Sequence, residues 1–119
     1  MSQKKKVLII DDEVDLCLLL KTYLNRRNYE VYYSHTLKEG IRQFKQVEPD
    51  ILFLDNNLPD GKGIDFLIHS KKEIPVDHVI LISADPSEQL KQKALDAGVL
   101  FLEKPFGLNR IREMIKEIS

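Results

Sequence analysis

The sequence predicts an α/β protein in which helices cover both faces of a parallel sheet. Two apolar runs of strand length, Ile51–Leu54 and Val79–Ile82, show no alternation with polar residues. A strand of this kind is buried on both faces, as in a parallel sheet between helices. Longer segments between such runs carry apolar residues at helical spacing. Strands that alternate with helices indicate repeated βαβ units with right-handed crossovers.

The composition fits one globular domain. At 119 residues, with 43% hydrophobic and 31% charged residues, we expect residues 1–119 to form a single domain. The net charge of -1 gives no bias towards nucleic acid or a membrane surface. One cysteine, Cys17, excludes an internal disulfide. No apolar run approaches the roughly 20 residues that span a bilayer, and the N-terminus does not resemble a signal peptide. We therefore expect a cytoplasmic protein that binds neither nucleic acid nor a membrane.

The first predicted unit is a strand followed by a helix. The strand covers Lys6–Asp11, and Asp11 or Asp12 can cap the N-terminus of the helix. The helix runs to about Arg26, because basic residues favour the negative C-terminal end of a helix. Apolar residues at helical spacing predict its inward face. They are Val14, Cys17, Leu18, Leu20, Tyr23 and Leu24.

The second unit leads to the central strand. Tyr29–Tyr33 is predicted as a strand, and Thr36 then caps a helix over residues 37–46. Ile51–Leu54 is the most apolar strand, and it ends directly at Asp55. The carboxyl end of a buried strand is where α/β proteins place their ligands, so the chain is organised around this stretch.

The rest of the chain contains one loop, three helices and two strands. In order, these are a loop over Asn56–Gly63, a helix from Ile64 to about Glu73, a strand over His78–Ser83, a helix from Pro86 to Gly98, a strand over Val99–Glu103 and a helix over Leu108–Ile118. Proline suits the first helical turn, where Asp85 would cap it, and glycine suits the C-terminal end. The residues expected to point inward from the third and last helices are Ile64, Leu67, Ile68, Leu108, Ile111, Ile115 and Ile118.

Polar residues follow the predicted strands at one edge of the sheet. The flavodoxin-like strand order 2-1-3-4-5 places the first and third strands side by side. Asp11 and Asp12 follow the first strand and Asp55 follows the third. Ser83 and Lys104 lie at the ends of the fourth and fifth strands. These side chains are expected to converge, although an isolated aspartate at such a position also commonly caps a turn.

These residues together resemble a response-regulator receiver domain, the phosphoacceptor part of two-component signalling systems. The matching elements are Asp11-Asp12, the segment Leu54–Pro59 around Asp55, Ser83-Ala84 and Lys104-Pro105-Phe106, and the likeness runs from about Lys5 to Ile118. The resemblance implies a CheY-like domain whose Asp55 accepts a phosphoryl group from a histidine kinase or a phosphotransfer protein. It also implies a signalling role, with no catalysis beyond the domain's own phosphorylation and dephosphorylation.

The resemblance further implies a Mg²⁺ site. Asp12 and Asp55 would bind the ion directly, Asp11 would hold it mainly through water, and the backbone carbonyl of Asn57 would be a further ligand. Mg²⁺ prefers such a set of a few carboxylates, a carbonyl and waters. The physical need is plain, because two like charges about 4 Å apart repel by ~4 kcal/mol at an effective dielectric constant near 20.

The remaining implied roles concern catalysis and switching. Lys104 resembles the lysine that pairs first with Asp55 and then with the phosphoryl oxygens, and its bond to Pro105 resembles the cis peptide of the family. Ser83 resembles the switch hydroxyl and Phe101 the switch aromatic. Phosphorylation would change the surface formed by the fourth helix, the fifth strand and the fifth helix, to which an unidentified output domain or protein would respond.

Two further positions resemble those that tune dephosphorylation in this family. They are Asn57 and Asp85, and both side chains are polar enough to orient an attacking water. We therefore expect a short-lived phosphoryl state. Asn56 departs from the family pattern because it is polar where many receivers carry an apolar residue, and Lys62 stands where the family often has an acid.

Three other functions fit these residues less well. A Mg²⁺-dependent phosphohydrolase usually needs a second acid two residues after the nucleophile, and Asn57 stands there instead. A receiver-like binding module that is never phosphorylated would not need the complete set of acids, serine and lysine. A flavin-binding protein would cradle phosphate after the first strand, where Asp11, Asp12 and Glu13 would repel it.

The histidines show no metal-ligand spacing, and we expect His35, His69 and His78 to be structural or surface residues. We expect Cys17 to be a packing residue.

Overall fold

The computed structural model describes residues 4–70, 78–85 and 87–118. The strands in these ranges are β1 (Lys6–Ile10), β2 (Glu30–Ser34), β3 (Ile51–Asp55), β4 (Asn57–Leu58), β5 (Gly61–Lys62), β6 (Val79–Ser83) and β7 (Leu100–Glu103). The helices are α1 (Val14–Arg26), α2 (Leu37–Val47), α3 (Gly63–His69), α4 (Glu88–Ala97) and α5 (Leu108–Ile118). Within the described ranges, no helix is both long enough and apolar enough to cross a membrane.

Five of the strands form one parallel sheet in the order β2-β1-β3-β6-β7. Counting only the strands of this sheet, the order is 2-1-3-4-5, so the predicted flavodoxin-like (βα)₅ arrangement is confirmed. Ile10 of β1 lies opposite Leu54 of β3. The residues that follow them, Asp11 and Asp55, therefore emerge side by side at the same edge of the sheet.

The core has two layers, one on each face of the sheet. Alternate residues of β3 separate between them, because successive side chains of a strand point to opposite faces. Leu52 and Leu54 belong to the layer under α3 and α4, whereas Ile51 and Phe53 belong to the layer under α1 and α5. All five residues of β3 and of β6 are buried. This burial on both faces explains why neither strand alternates between apolar and polar residues.

The predicted inward face of α1 is too wide. Val14 and Leu18 are 54% and 46% exposed, and only Cys17, Leu20 and Leu24 are buried on this helix. These three residues recur at intervals of three and four, the spacing of a narrow stripe that rests on the sheet. Ile68 of α3 is wrongly predicted for the same reason and is 40% exposed.

The N-terminal cap of α1 also differs from the prediction. Glu13, and neither Asp11 nor Asp12, is the N-cap residue, and its side chain makes no cap hydrogen bond. The Asp11 carboxylate instead accepts a hydrogen bond from the backbone N–H of Glu13, at 2.9 Å. Asp11 therefore binds the turn that leads into the helix, with its backbone still at the end of β1.

The start of α4 lies two residues later than predicted, at Glu88. Asp85 does not cap the helix but accepts a hydrogen bond from the backbone N–H of Ser87 at 2.9 Å. Ser87 is the N-cap, and its hydroxyl accepts from the N–H of Leu90 at 3.1 Å. Pro86, the predicted first helical residue, lies outside the described residues. The predicted end at Gly98 is confirmed, because Gly98 is the C-cap in the left-handed region with φ 74°.

Smaller differences concern the ends and faces of the other helices. The Thr36 cap of α2 is confirmed by its hydrogen bond with the N–H of Glu39. The predicted end of α3 near Glu73 lies outside the described residues, and α3 ends at His69. On α5, Ile111 and Met114 are buried, whereas three predicted inward residues are only half-buried. Those three residues are Leu108, Ile115 and Ile118.

The segment after β3, predicted to be a loop, contains a short antiparallel ribbon. Asn57 of β4 pairs with Lys62 of β5, and Leu58, which is 8% exposed, pairs with Gly61. Asp60 in the intervening turn accepts hydrogen bonds from two backbone N–H groups at the start of α2, at 2.7 and 2.9 Å. These hydrogen bonds lower the pKa of Asp60. The turn of the ribbon is thus anchored to α2, and the pairing with Lys62 positions the backbone of Asn57.

A close approach at Gly63 brings α3 against the end of β3. A Cβ atom at Gly63 would lie 2.6 Å from the carbonyl oxygen of Asp55 and 3.0 Å from the Leu54 side chain.

We expect Gly63→Ala to lower the free energy of unfolding by about 1–3 kcal/mol, because a backbone atom must give way. Urea unfolding tests this expectation against Gly107→Ala, where a Cβ meets nothing within 4 Å. Equal midpoints for the two variants would contradict it.

Candidate functional site

The site is a cluster of three carboxylates at the carboxyl ends of β1 and β3. Asp11, Asp12 and Asp55 each offer an oxygen atom, and these oxygens lie within 4.8 Å of one another. Asp11 and Asp55 are 0% and 3% exposed, whereas Asp12 is exposed. The predicted convergence of these residues is thus found in the structure, with one of the three carboxylates open to solvent.

Among the described residues, one backbone N–H donates a hydrogen bond to the Asp55 carboxylate. Its Oδ1 accepts from the N–H of Asn57 at 3.1 Å. Burial raises the pKa of Asp55 to about 6, because this hydrogen bond does not offset the loss of hydration and the charge of Asp11 adds to the effect. Asp55 is therefore ionised at neutral pH, but its charge is poorly compensated by the protein.

Lys104 supplies the positive charge of the site. Its Nζ lies 3.0 Å from Asp11 Oδ2 and 3.7 Å from Asp55 Oδ2. It is closest, at 2.6 Å, to Oε1 of Glu13. Burial opposes the charged form, but the hydrogen bond to Glu13 and the attraction of the Asp11 carboxylate outweigh it and raise the pKa of Lys104. The peptide bond to Pro105 is cis, as the resemblance implied.

One buried oxygen of the cluster lacks a hydrogen-bond donor. Asp11 Oδ2 has none among the described residues, and its contact with the Lys104 ammonium at 3.0 Å is an ion pair. Burial accordingly raises the pKa of Asp11. Three carboxylates with an unsatisfied buried oxygen form the set of hard oxygen ligands that Mg²⁺ prefers. The residues therefore fit a Mg²⁺ ion.

Ser83 is the last residue of β6, and Asp85 lies on the loop that follows it. The Ser83 hydroxyl is buried and accepts a hydrogen bond from the backbone N–H of Asp85 at 3.0 Å. Its own proton remains available to donate. The Asp85 carboxylate is engaged with the N–H of Ser87. Among the hydrogen bonds of the described residues, none links Asp85 with Asp55.

Phe101 lies on the edge strand β7, opposite Leu81 of β6. It is half-buried and packs against the core layer under α3 and α4. Phe101 is therefore partly exposed on the edge strand of the sheet. Glu103, two residues further along the strand, lies opposite Ser83.

The two asparagines after Asp55 have different surroundings. Asn56 is 5% exposed, and its Oδ1 accepts a hydrogen bond from the N–H of Ile64 at 3.0 Å. A polar residue at this position is therefore satisfied by the start of α3. Asn57 is exposed, and its Oδ1 accepts from Lys62 Nζ at 2.5 Å.

Sequence reasoning missed two residues that contact the site. Glu13 binds Lys104, and the only sequence signal for it is its position directly after the acidic pair. His35 Nδ1 lies 2.9 Å from the backbone oxygen of Asp11, and the Cys17 thiol donates to the same oxygen at 3.3 Å. Burial raises the pKa of Cys17 to about 12, so the thiol is unreactive. His35 and Cys17 thus fix the backbone that carries Asp11.

Comparison with known proteins identifies related sequences. The family model for the response regulator receiver domain matches residues 7–116. The chemotaxis protein CheY of Thermotoga maritima is 32% identical over 117 residues, which cover 97% of this chain and 98% of that protein. The KDP operon transcriptional regulatory protein KdpE of Escherichia coli is 36% identical over 111 residues. That alignment covers 92% of this chain but 49% of KdpE, so the chain spans about half the length of this relative.

Solved structures give the same grouping. A two-component response regulator from Clostridium difficile superimposes with a TM-score of 0.88 at 25% identity, covering 97% of this chain and 95% of that one. A CheY-like receiver domain protein from Methanospirillum hungatei JF-1 has a TM-score of 0.88 at 28% identity. It covers 96% of this chain and 92% of its own.

Proposed function

The chain belongs to the response regulator receiver domain family, and we propose that it accepts a phosphoryl group on Asp55 from a histidine kinase or a phosphotransfer protein. One observation carries this proposal. A carboxylate with 3% residue exposure lies among two further acids and an ammonium group, and its raised pKa of about 6 still leaves it ionised at neutral pH. Such a group is a nucleophile with the surroundings that phosphoryl transfer requires.

The proposed ligands of Mg²⁺ are Asp11, Asp12, Asp55 and the backbone carbonyl of Asn57. The bound ion would neutralise the charge of the carboxylates and of the phosphoryl oxygens. The fixed geometry of Asp55 supports attack by Oδ2, since Oδ1 is held by the Asn57 N–H. The new bond between Oδ2 and phosphorus forms as the bond from phosphorus to the donor atom breaks, and the donor keeps the electron pair. Lys104, 3.7 Å from Oδ2, would then pair with the phosphoryl oxygens.

The proposed switch begins at Ser83. Its hydroxyl proton can donate to a phosphoryl oxygen, and the partly exposed ring of Phe101 can follow the loop inward. The surface that responds would comprise α4, β7 and α5. Its reader is an unidentified protein or output domain. The match to half of KdpE supports a place within a longer regulator, and the match to 98% of CheY supports a separate protein. We place the domain in the cytoplasm, where the single thiol of Cys17 would stay reduced.

The domain's only proposed catalysis is its own phosphorylation and dephosphorylation. The exposed carboxamide of Asn57 keeps its N–H groups available to orient a water, and Asp85 lies on the neighbouring loop.

We expect a phosphoryl half-life of minutes, and replacing Asn57 by Ala should lengthen it by about fivefold, which corresponds to about 1 kcal/mol. The loss of label after removal of the phosphodonor gives the half-life, with Asn109→Ala as the exposed control. A wild-type half-life of many hours would contradict this expectation.

The rate of phosphorylation should depend on pH through Asp55. Its pKa is raised to about 6, so the carboxyl group is protonated and unreactive below this pH and ionised above it. The rate with a small phosphodonor should therefore fall as the pH is lowered from 8 through about 6. Saturating Mg²⁺ should move the midpoint to lower pH, because a cation favours the carboxylate. Rates that are the same across this range at low Mg²⁺ would contradict the assignment.

The proposal is tested by intact mass after incubation with Mg²⁺ and acetyl phosphate. The wild type should gain one phosphoryl group, and Asp55→Ala should gain none. A control receiver that is labelled under conditions where the wild type is not would instead favour a binding module that works without phosphorylation.

A further inference from the structure

Glu13 makes the closest contact of the Lys104 ammonium, yet the proposed chemistry assigns it no role. Its Oε1 lies 2.6 Å from Nζ, compared with 3.0 Å for Asp11 Oδ2 and 3.7 Å for Asp55 Oδ2. The ammonium is therefore displaced towards the start of α1 and away from the phosphoacceptor. The Glu13 side chain is 60% exposed and that of Lys104 is 15% exposed, so the pair sits at the mouth of the site.

Both backbones of this pair are fixed. The N–H of Glu13 is bound by Asp11 Oδ1 at 2.9 Å, and the N–H of Lys104 donates to the carbonyl of Ser83 at 2.9 Å. The ammonium can therefore move from one carboxylate to another only by rotation within the lysine side chain. Its position is set by competition among Glu13, Asp11 and Asp55.

We infer that Glu13 is a positioning residue that restrains Lys104 in the resting protein and releases it when a phosphoryl group arrives on Asp55. This inference rests on the proposed function. With acetyl phosphate as donor, the bond between phosphorus and the acetyl oxygen breaks, acetate leaves with the electron pair, and a bond from phosphorus to the Asp55 carboxylate forms. The phosphoryl oxygens carry more negative charge than the carboxylate they replace, so they draw the ammonium away from Glu13.

The restraint should act on one direction of the reaction only. An interaction present in the resting state and lost in the transition state slows the reaction by its own strength. For an ion pair with one exposed partner, the expected slowing is about two- to fivefold. Hydrolysis starts from the phosphorylated state, in which Glu13 has already released the lysine. The rate of hydrolysis should therefore be independent of Glu13.

The test compares Glu13→Gln with Asp15→Asn. Asp15 is an exposed acid in the first turn of α1, so its replacement removes the same charge from the same helix end, and it makes no ion pair with Lys104 among the described contacts. We expect Glu13→Gln to be phosphorylated by acetyl phosphate about two- to fivefold faster than Asp15→Asn at saturating Mg²⁺. The wild type and both variants should hydrolyse the phosphoryl group at rates that agree within about twofold, because Glu13 does not contact Lys104 in the phosphorylated state.

A second measurement is independent of phosphorylation. The NMR resonances of the Lys104 side chain in the resting protein should shift in Glu13→Gln and stay in place in Asp15→Asn. Equal phosphorylation rates in the two variants, or unshifted Lys104 resonances, would overturn the role of Glu13. A changed hydrolysis rate in Glu13→Gln would overturn it as well, because Glu13 would then act on the phosphorylated state. A wild type that takes up no phosphoryl group while its Lys104 resonances respond to Glu13→Gln would overturn the proposed function and the release of Lys104, and would leave only the restraint of Lys104 in the resting protein.

Discussion

Asp55→Asn is expected to abolish phosphoryl acceptance and to stabilise the folded domain at the same time. The amide cannot act as the nucleophile, so the rate should fall below detection. The gain in stability follows from the raised pKa. The pKa of the Asp55 carboxyl group rises from 3.8 to about 6 on folding. When this group is ionised, the free energy of unfolding of the protein is therefore lower by up to roughly 3 kcal/mol. Asn has nearly the same shape and carries no charge, so it removes this cost.

The sign of the effect depends on pH. The folded protein binds the Asp55 proton more tightly than the unfolded chain does, so the contribution to stability is present below pH 3.8 and is lost as the pH rises through about 6. Asp55→Asn should therefore unfold several degrees above the wild type at pH 8 and at nearly the same temperature at pH 4. Asp96→Asn, an exposed replacement on α4, should leave the unfolding temperature unchanged. A less stable Asp55→Asn at pH 8 without Mg²⁺ would contradict the account.

Lys104→Met is expected to have the opposite effect on stability. The substitution keeps most of the apolar stem and removes the cation 3.0 Å from Asp11 and 3.7 Å from Asp55. No other cation of the described residues pairs with these two buried carboxylates. Breaking a buried ion pair in this way costs about 3 kcal/mol. Mg²⁺ should restore most of the loss and should bind the variant more tightly, since the competing ammonium is gone.

Urea unfolding with and without Mg²⁺ tests this prediction. Lys62→Met is the matched control, because Lys62 is exposed at the same edge of the sheet and contacts the Asn57 amide. Its expected change is within about 0.5 kcal/mol. If Lys104→Met is as stable as the control without Mg²⁺, the carboxylates do not depend on the ammonium. If Mg²⁺ stabilises both variants equally, the ion and the lysine do not share the same oxygens.

The sequence was sufficient to predict the sheet and the convergence of the acids. The unbroken apolar runs identify buried parallel strands, and the neighbouring β1 and β3 then bring Asp11 and Asp55 together. Sequence reasoning was least reliable where neighbouring elements in the fold decide whether a side chain is buried. Val14 and Leu18 are apolar and correctly spaced, but they are exposed because α1 rests on the sheet through a narrower stripe.

The contacts around the acids depend on pairings between distant segments. His35 reaches the carbonyl of Asp11 only because β2 lies beside β1, and no local pattern indicates this. Asn56 is polar where many receivers carry an apolar residue, and its side-chain oxygen accepts a hydrogen bond from the N–H of Ile64 at the start of α3. Glu13 contacts Lys104 although 91 positions separate them along the chain. Each contact depends on the topology, which brings distant segments together. The identity of a single residue does not predict it.

The most direct test of the central proposal is to locate the phosphoryl group within the chain. The protein is treated with Mg²⁺ and acetyl phosphate, reduced with borohydride, which converts an acyl phosphate to an alcohol, and digested for peptide mass analysis. We expect the reduced residue at position 55 and at no other aspartate. Reduction at Asp11 or Asp12, or a phosphoryl group that resists borohydride on a serine or histidine, would contradict the assignment of Asp55 as the phosphoacceptor.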